Sequence, residues 1–182
     1  FHLIKMMSLE MNKDIAACIY VAIATDTGGF RYSNTTSLTH KIASELLNYD
    51  VDVAWISHRV FNSMSLGKVR LTGIAINSLQ ILENGKVAFI TIYEDDIKKA
   101  GASDEDCEGL VNIARNINNV EVAALFRPHK NGEVKVNLRS SEYVDVAAIA
   151  GMNKGGGHKR AAGYISKGSV EDVKEKLLKE LQ

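Results

Sequence analysis

At 182 residues the chain has room for one ordinary domain or two small ones. Hydrophobic residues make up 46% and charged residues 24%, a globular balance that excludes a disordered chain. Twenty-two basic residues offset twenty-two acidic ones, which excludes a strongly basic module that coats long duplexes by counterion release, so any nucleic acid must be held locally.

The chain opens with FHLIKMMSLEM, in which Leu3, Ile4, Met7 and Met11 share a helical face. The first residue is Phe1, so the sequence is expected to begin inside an element, as a truncated piece of a longer protein. Asn12 is the expected N-cap of a second helix over 15–24, apolar enough to be buried nearly all round. It stops at TDTGGFRYSNTT, a loop with turn chemistry, before a third helix over 39–47. Residues 48–66 are less regular and hold the expected domain boundary, which divides the chain into 1–60 and 61–182.

The second block changes character. A helix over 69–78 precedes two apolar strands, 79–82 and 87–93, joined by a turn at Glu83, Asn84 and Gly85. A helical stretch is predicted over 103–117, opened by Ser103 with Asp106 three residues on. Strands over 120–126 and 133–138 flank the Asn131-Gly132 turn. A short helix over 144–150, a glycine turn entering a helical turn in GGGHKRAAG, a strand over 164–166 and a charged helix over 170–181 complete the chain. The fold class is therefore α/β: a helical first part followed by a small mixed-sheet domain.

Gly155, Gly156 and Gly157 free the backbone for positive φ and for close approach of a ligand. Three glycines alone read equally as a flexible loop. His158, Lys159 and Arg160 beside them favour an anion site, since N–H groups opening a helical turn attract phosphate. Arg139, followed by Ser140 and Ser141, can fork onto a phosphate while a hydroxyl donates a further bond; otherwise it is an exposed strand-end arginine. Arg127 carries a weaker version of the same expectation.

Asp26 follows ten nearly continuous apolar residues and precedes Thr27, Gly28 and Gly29. By its neighbours it is first a helix-end residue and second an oxygen ligand for Mg²⁺ or Mn²⁺. One carboxylate cannot hold a catalytic metal, and no second acidic or His cluster has suitable spacing. Asp50 with Asp52, and Asp104 with Asp106, read as structural, His40 and His58 have no partners at ligand spacing, and His2 and His129 are expected at the surface. Cys18 and Cys107 lie far apart in apolar helical patterns and are expected to behave as small hydrophobes. No run approaches the roughly 18 apolar residues of a membrane span, and no secretory signal pattern opens the chain, so a reducing, cytoplasmic setting is expected.

Taken in order, ATDTGGFRYSNTT, EDCEGLVNIARNI, VEVAALF, VKVNLRSS and GGGHKRAAG resemble the DHH phosphoesterase family, nearest to its nanoRNase branch, the type active as oligoribonuclease and 3′-phosphoadenosine 5′-phosphate phosphatase, related to RecJ-like exonucleases. The resemblance spans essentially the whole chain. It implies the closing part of a DHH domain followed by a DHH-associated substrate-binding domain of a hydrolase with two Mn²⁺ ions. It implies Asp26 as the last metal-ligand aspartate, and Arg139, Ser140, Gly155, Gly156, Gly157 and His158 as contacts to substrate phosphate and nucleotide. Arg31 and Thr35 fall in the family's loop after that aspartate. The family's earlier aspartates and its Asp-His-His triplet do not occur in this sequence, so the chain alone is expected to be inactive. The implied partner is a short single-stranded nucleic acid or nucleotide, with no membrane, and a homodimer stays open. Two other readings also stay open: a non-catalytic nucleic-acid-binding module like the one in alanyl-tRNA synthetases, and an oligomerisation domain.

Overall fold

Ser8 takes a left-handed φ of 51°, so helix α1 (His2–Met6) ends after five residues in the computed structural model, which describes residues 1–181. The helical face expected to run through Met11 is therefore cut short, and none of the α1 residues is buried. Asn12 caps α2 (Lys13–Asp26), accepting the Ile15 N–H at 3.0 Å. Ala16, Tyr20 and Ala24 recur every fourth residue as the buried stripe of α2. The helix is thus one-sided rather than buried all round, and Cys18 is exposed rather than a core hydrophobe. Thr36 and Thr39 close a capping box at the start of α3 (Ser37–Leu46), whose Ala43 and Leu46 meet the α2 stripe. Asp52, one of the paired aspartates, caps α4 (Val53–Ser57) by accepting the Trp55 N–H at 2.9 Å.

The chain divides into two units, Phe1–Ser63 and Met64 onward. In the second, α5 (Leu66–Asn77) leads to β1 (Gln80–Leu82) and β2 (Val87–Thr91), antiparallel around the Glu83–Gly85 turn. β3 (Val122–Pro128) lies parallel to β2, which requires a crossover. The crossover carries α6 (Glu94–Ala100) and α7 (Leu110–Arg115). No local pattern foreshadows α6, because EDDIKKA has almost no apolar periodicity. Asp96 caps it by accepting the Tyr93 N–H at 2.9 Å, and Gly101 ends it at φ 64°. The helix expected over 103–117 is broken by Gly109 at φ 83° into a 3₁₀ turn, Glu105–Cys107, and α7.

β4 (Glu133–Ser140) returns antiparallel to β3, and α8 (Val146–Met152) follows. GGGHKRAAG then forms a hairpin, β5 (Gly156–His158) with β6 (Ala161–Lys167), not the helical turn expected. The charged α9 (Val170–Glu180) closes the described chain. The six strands lie in the order β1-β2-β3-β4-β6-β5. β2 and β3 are buried on both faces, as strands between helical layers must be. One face packs Phe89, Phe126, Val136 and Leu138 with residues of α8 and α9. The other packs Ile90 and Leu125 with residues of α5, α7 and Cys107, whose burial pushes its thiol pKa up. β4 and β6 instead alternate buried with part-exposed residues, so the outer half of the sheet keeps one face open.

Candidate functional site

Directly opposed residues in an antiparallel ladder point to the same face. The register opposes Ala123 to Arg139, Arg139 to Ala161, and Ala161 to His158. Arg139 and His158 therefore stand in one cross-strand row with only the Ala161 methyl between them, about 10 Å apart at two strand spacings. The next row runs Leu125, Asn137, Gly163, Gly156. The open face thus has a floor of Ala161, Gly163 and Gly156, with the polar groups of Arg139, Asn137 and His158 around it. Arg139 is half-buried, and its guanidinium donates to the Leu138 carbonyl at 2.9 Å. Sequence reasoning passed over Asn137, although the period of two in VKVNLR places it on the Arg139 face.

The three glycines divide by role. A Cβ at Gly155 would lie 2.3 Å from the Gly163 carbonyl oxygen and 2.5 Å from the Tyr164 Cβ. At Gly157, with φ 147°, it would lie 2.5 Å from both the Ala161 oxygen and the Ala162 Cα. Both positions are glycine because β6 runs against them. Gly156 meets nothing within 4 Å and lies on the open face. The expected nest of free N–H groups is also reduced, since the Gly155 N–H donates to the Ala150 carbonyl at 2.8 Å.

Ser140 is not brought to this face. Alternation along β4 turns it to the other side, where it is 1% exposed and donates to the Val144 carbonyl at 2.7 Å. Its hydroxyl is engaged in holding the chain after β4, which corrects the expectation of a phosphate contact. Arg160 serves the same segment: it donates to the carbonyls of Val144, at 2.7 Å, and Glu142. From the opposite side, buried Glu121 accepts the N–H groups of Glu142, Tyr143 and Val144 at 3.0, 2.8 and 2.7 Å. The loop between β4 and α8 is thus pinned through both its N–H groups and its carbonyls. These contacts join residues about twenty apart, and no local pattern announced them.

Arg127, the weaker arginine expectation, is 6% exposed in its side chain and pairs with Asp104, which is 72% exposed. The Arg127 hydrogen bond and charge hold the Asp104 carboxyl below its ordinary pKa. Arg127 is therefore occupied inside the fold. Asp106 likewise accepts the Ser103 N–H and the Ser65 hydroxyl, both at 2.9 Å.

In the first unit, Asp26 is the last residue of α2 and is exposed, with its Oδ2 accepting from Asn34 at 3.0 Å. The turn after it is built by Thr27, whose hydroxyl donates to the Ile23 carbonyl at 2.7 Å and accepts the Phe30 N–H at 3.1 Å. Gly28 follows at φ 58°, and Arg31 donates back to its carbonyl at 2.6 Å. Among the described residues no group of three or more His, Cys, Asp or Glu side chains is placed to hold a metal ion. His40 stacks on Phe30, and His129 pairs with Glu94 at 3.2 Å. Among the described residues no helix is long and apolar enough to cross a membrane.

Comparison with known proteins identifies the fold to which this face belongs. The probable bifunctional oligoribonuclease and PAP phosphatase NrnA of Streptococcus mutans is 34% identical over 171 residues, which cover 93% of this chain and 54% of that protein. The bifunctional oligoribonuclease and PAP phosphatase NrnA of Thermus thermophilus is 34% identical over 178 residues, 97% of this chain and 52% of that protein. The chain therefore spans about half the length of these curated relatives. Among solved structures, an exopolyphosphatase-related protein from Bacteroides fragilis matches with a TM-score of 0.91 and 30% identity, over 98% of this chain and 53% of that one. The family model described as the DHHA1 domain matches residues 84–182, which contain β2 to β6 and both arms of the Arg139 and His158 row, and the chain belongs to that family.

Proposed function

We propose that this chain is the substrate-holding part of a manganese-dependent phosphoesterase that hydrolyses short oligonucleotides, 3′-phosphoadenosine 5′-phosphate, or both. The observation that carries the reading is the row of Arg139 and His158 beside the bare floor of Gly156 and Gly163. A guanidinium fork and an imidazole flank a surface on which no long side chain keeps a phosphate away from the backbone. The names of the Streptococcus and Thermus relatives support the substrate class. Gly155 and Gly157 shape the hairpin that carries Gly156 and His158 to the ligand. The reading puts the protein in the cytoplasm with its nucleotide substrates.

Asp26 is the proposed oxygen ligand for one Mn²⁺ ion. The residues of this chain do not fit a two-ion site by themselves, since no cluster of three or more ligands accompanies that carboxylate among the described residues. No catalytic step is therefore assigned to them. By this reading the remaining ligands belong to the half of the relatives' length outside the match, and the chain alone binds substrate without turning it over.

Calorimetric titration of the 182-residue chain with the diadenylate pApA tests the reading. Binding is expected to weaken roughly 10- to 100-fold in Arg139→Ala, the loss of one charge-assisted contact to phosphate. Equal affinity in the wild type and this variant refutes the row as the phosphate site, and AMP release by the chain alone in Mn²⁺ refutes the division of labour.

A further inference from the structure

Tyr143 is 64% exposed, yet it sits on a loop of the second unit that is tethered through its backbone. Its own N–H donates to the buried Glu121 carboxylate at 2.8 Å, and its neighbours' N–H groups share that acceptor. The carbonyls on either side of it are taken by Arg160. The fold thus spends a buried acid and an arginine on fixing a segment whose aromatic ring faces solvent. A backbone held this way loses little conformational freedom when a flat partner covers the ring it carries.

Tyr143 borders a cleft of about 400 Å³ lined by Lys86, Arg115, Asn119 and Ser141 and also by the acids Glu121 and Glu142. A second cleft that Tyr143 also borders is lined mostly by Val87, Val122, Val144, Leu178 and Leu181, with Glu83, Lys86 and Glu121 beside them, and offers fewer hydrogen bonds to a base edge. The polar cleft continues the Arg139 strand. Ser141 extends the ladder beyond Ser140, its N–H donating to the Glu121 carbonyl at 2.9 Å. Two residues of extended chain put its Cα about 7 Å from that of Arg139, and its hydroxyl donates to the Val120 carbonyl at 2.9 Å.

We propose that Tyr143 is a stacking platform for the base of a second nucleotide, seated in the Arg115–Asn119–Ser141 cleft while the neighbouring phosphate lies on the Arg139 and His158 row. The proposal rests on the substrate reading above and adds a length preference to it: a dinucleotide reaches both places and a mononucleotide only one. Stacking on an aromatic side chain tolerates any base, so the preference is for length rather than sequence.

The test compares the affinities of the 182-residue chain for pApA and for AMP by calorimetry, in the wild type, Tyr143→Ala and Tyr143→Phe. The ring is exposed, so neither substitution empties the core. The wild type is expected to favour pApA, Tyr143→Phe to keep that ratio, and Tyr143→Ala to lower it roughly 5- to 100-fold, the worth of one stacked base. A wild-type pApA/AMP ratio retained in Tyr143→Ala overturns the platform and leaves the Arg139 reading standing. A wild type that binds neither ligand overturns both.

Discussion

Alanine substituted in turn at the three consecutive glycines separates what the hairpin needs from what a ligand needs. At Gly157 the new Cβ falls 2.5 Å from the Ala161 carbonyl oxygen and 2.5 Å from the Ala162 Cα, and φ is 147°. Both distances lie about 1 Å inside normal contact, and both partners are backbone in the adjoining strand, so no side chain can swing away. Overpacking of this kind costs about 1–3 kcal/mol, and the backbone conformation adds about 1–2 kcal/mol for a non-glycine residue. Gly157→Ala is therefore expected to lose about 3 kcal/mol. Gly155→Ala, at 2.3 Å from the Gly163 oxygen but without positive φ, is expected to lose about 2 kcal/mol. Gly156→Ala meets nothing within 4 Å and is expected to stay within about 0.5 kcal/mol of the wild type. Its methyl group enters the floor between Gly163 and the ligand, so pApA affinity should fall while stability does not. Urea unfolding followed by circular dichroism reads the first quantity and calorimetry the second. A Gly156→Ala protein as unstable as Gly157→Ala, or one binding pApA as the wild type does, refutes this division.

Two further perturbations concern the interior of the second unit. Glu121→Ala removes three hydrogen bonds to a carboxylate, worth about 1.5–3 kcal/mol each, and relieves a buried-charge penalty of several kcal/mol, for a net loss of about 3 kcal/mol in urea unfolding; a loss below about 1 kcal/mol would show that the 141–145 loop holds itself. Asp104 has its folded pKa lowered, chiefly by the Arg127 hydrogen bond, so it contributes stability present above the unfolded carboxylate value of about 3.9 and lost as pH falls through the folded value. Asp104→Asn should be less stable than the wild type at pH 7, with the gap closing below about pH 4, and an unchanged gap at pH 3 would refute Arg127 as the cause.

Much of the second unit was legible because its signals are local. The Asn131-Gly132 turn between two apolar runs announced β3 and β4, and Asn12 announced the start of α2. α6 was not legible because its sequence is a charge run stabilised by caps at both ends. The β5–β6 hairpin was not legible for the opposite reason: glycine supplies the freedom but none of the branched side chains that mark a strand, and β5 exists because it pairs with β6, which in turn pairs with β4.

The candidate site shows the same division between local and long-range information. Arg139 and Ser140 are adjacent in sequence, and a functional reading of VKVNLRSS joins them. In a strand, however, adjacency means opposite faces, and Ser140 is buried in the loop anchor while Arg139 stands on the open face. Arg139 and His158 share a face because two ladders bring His158 to the Arg139 row. Gly156 joins that surface only because Gly155 and Gly157 let β5 lie against β6. The anion-attracting property proposed for this face therefore rests on cross-strand register rather than on a glycine backbone at a helix start, with the glycines serving to hold that register and to leave the floor bare.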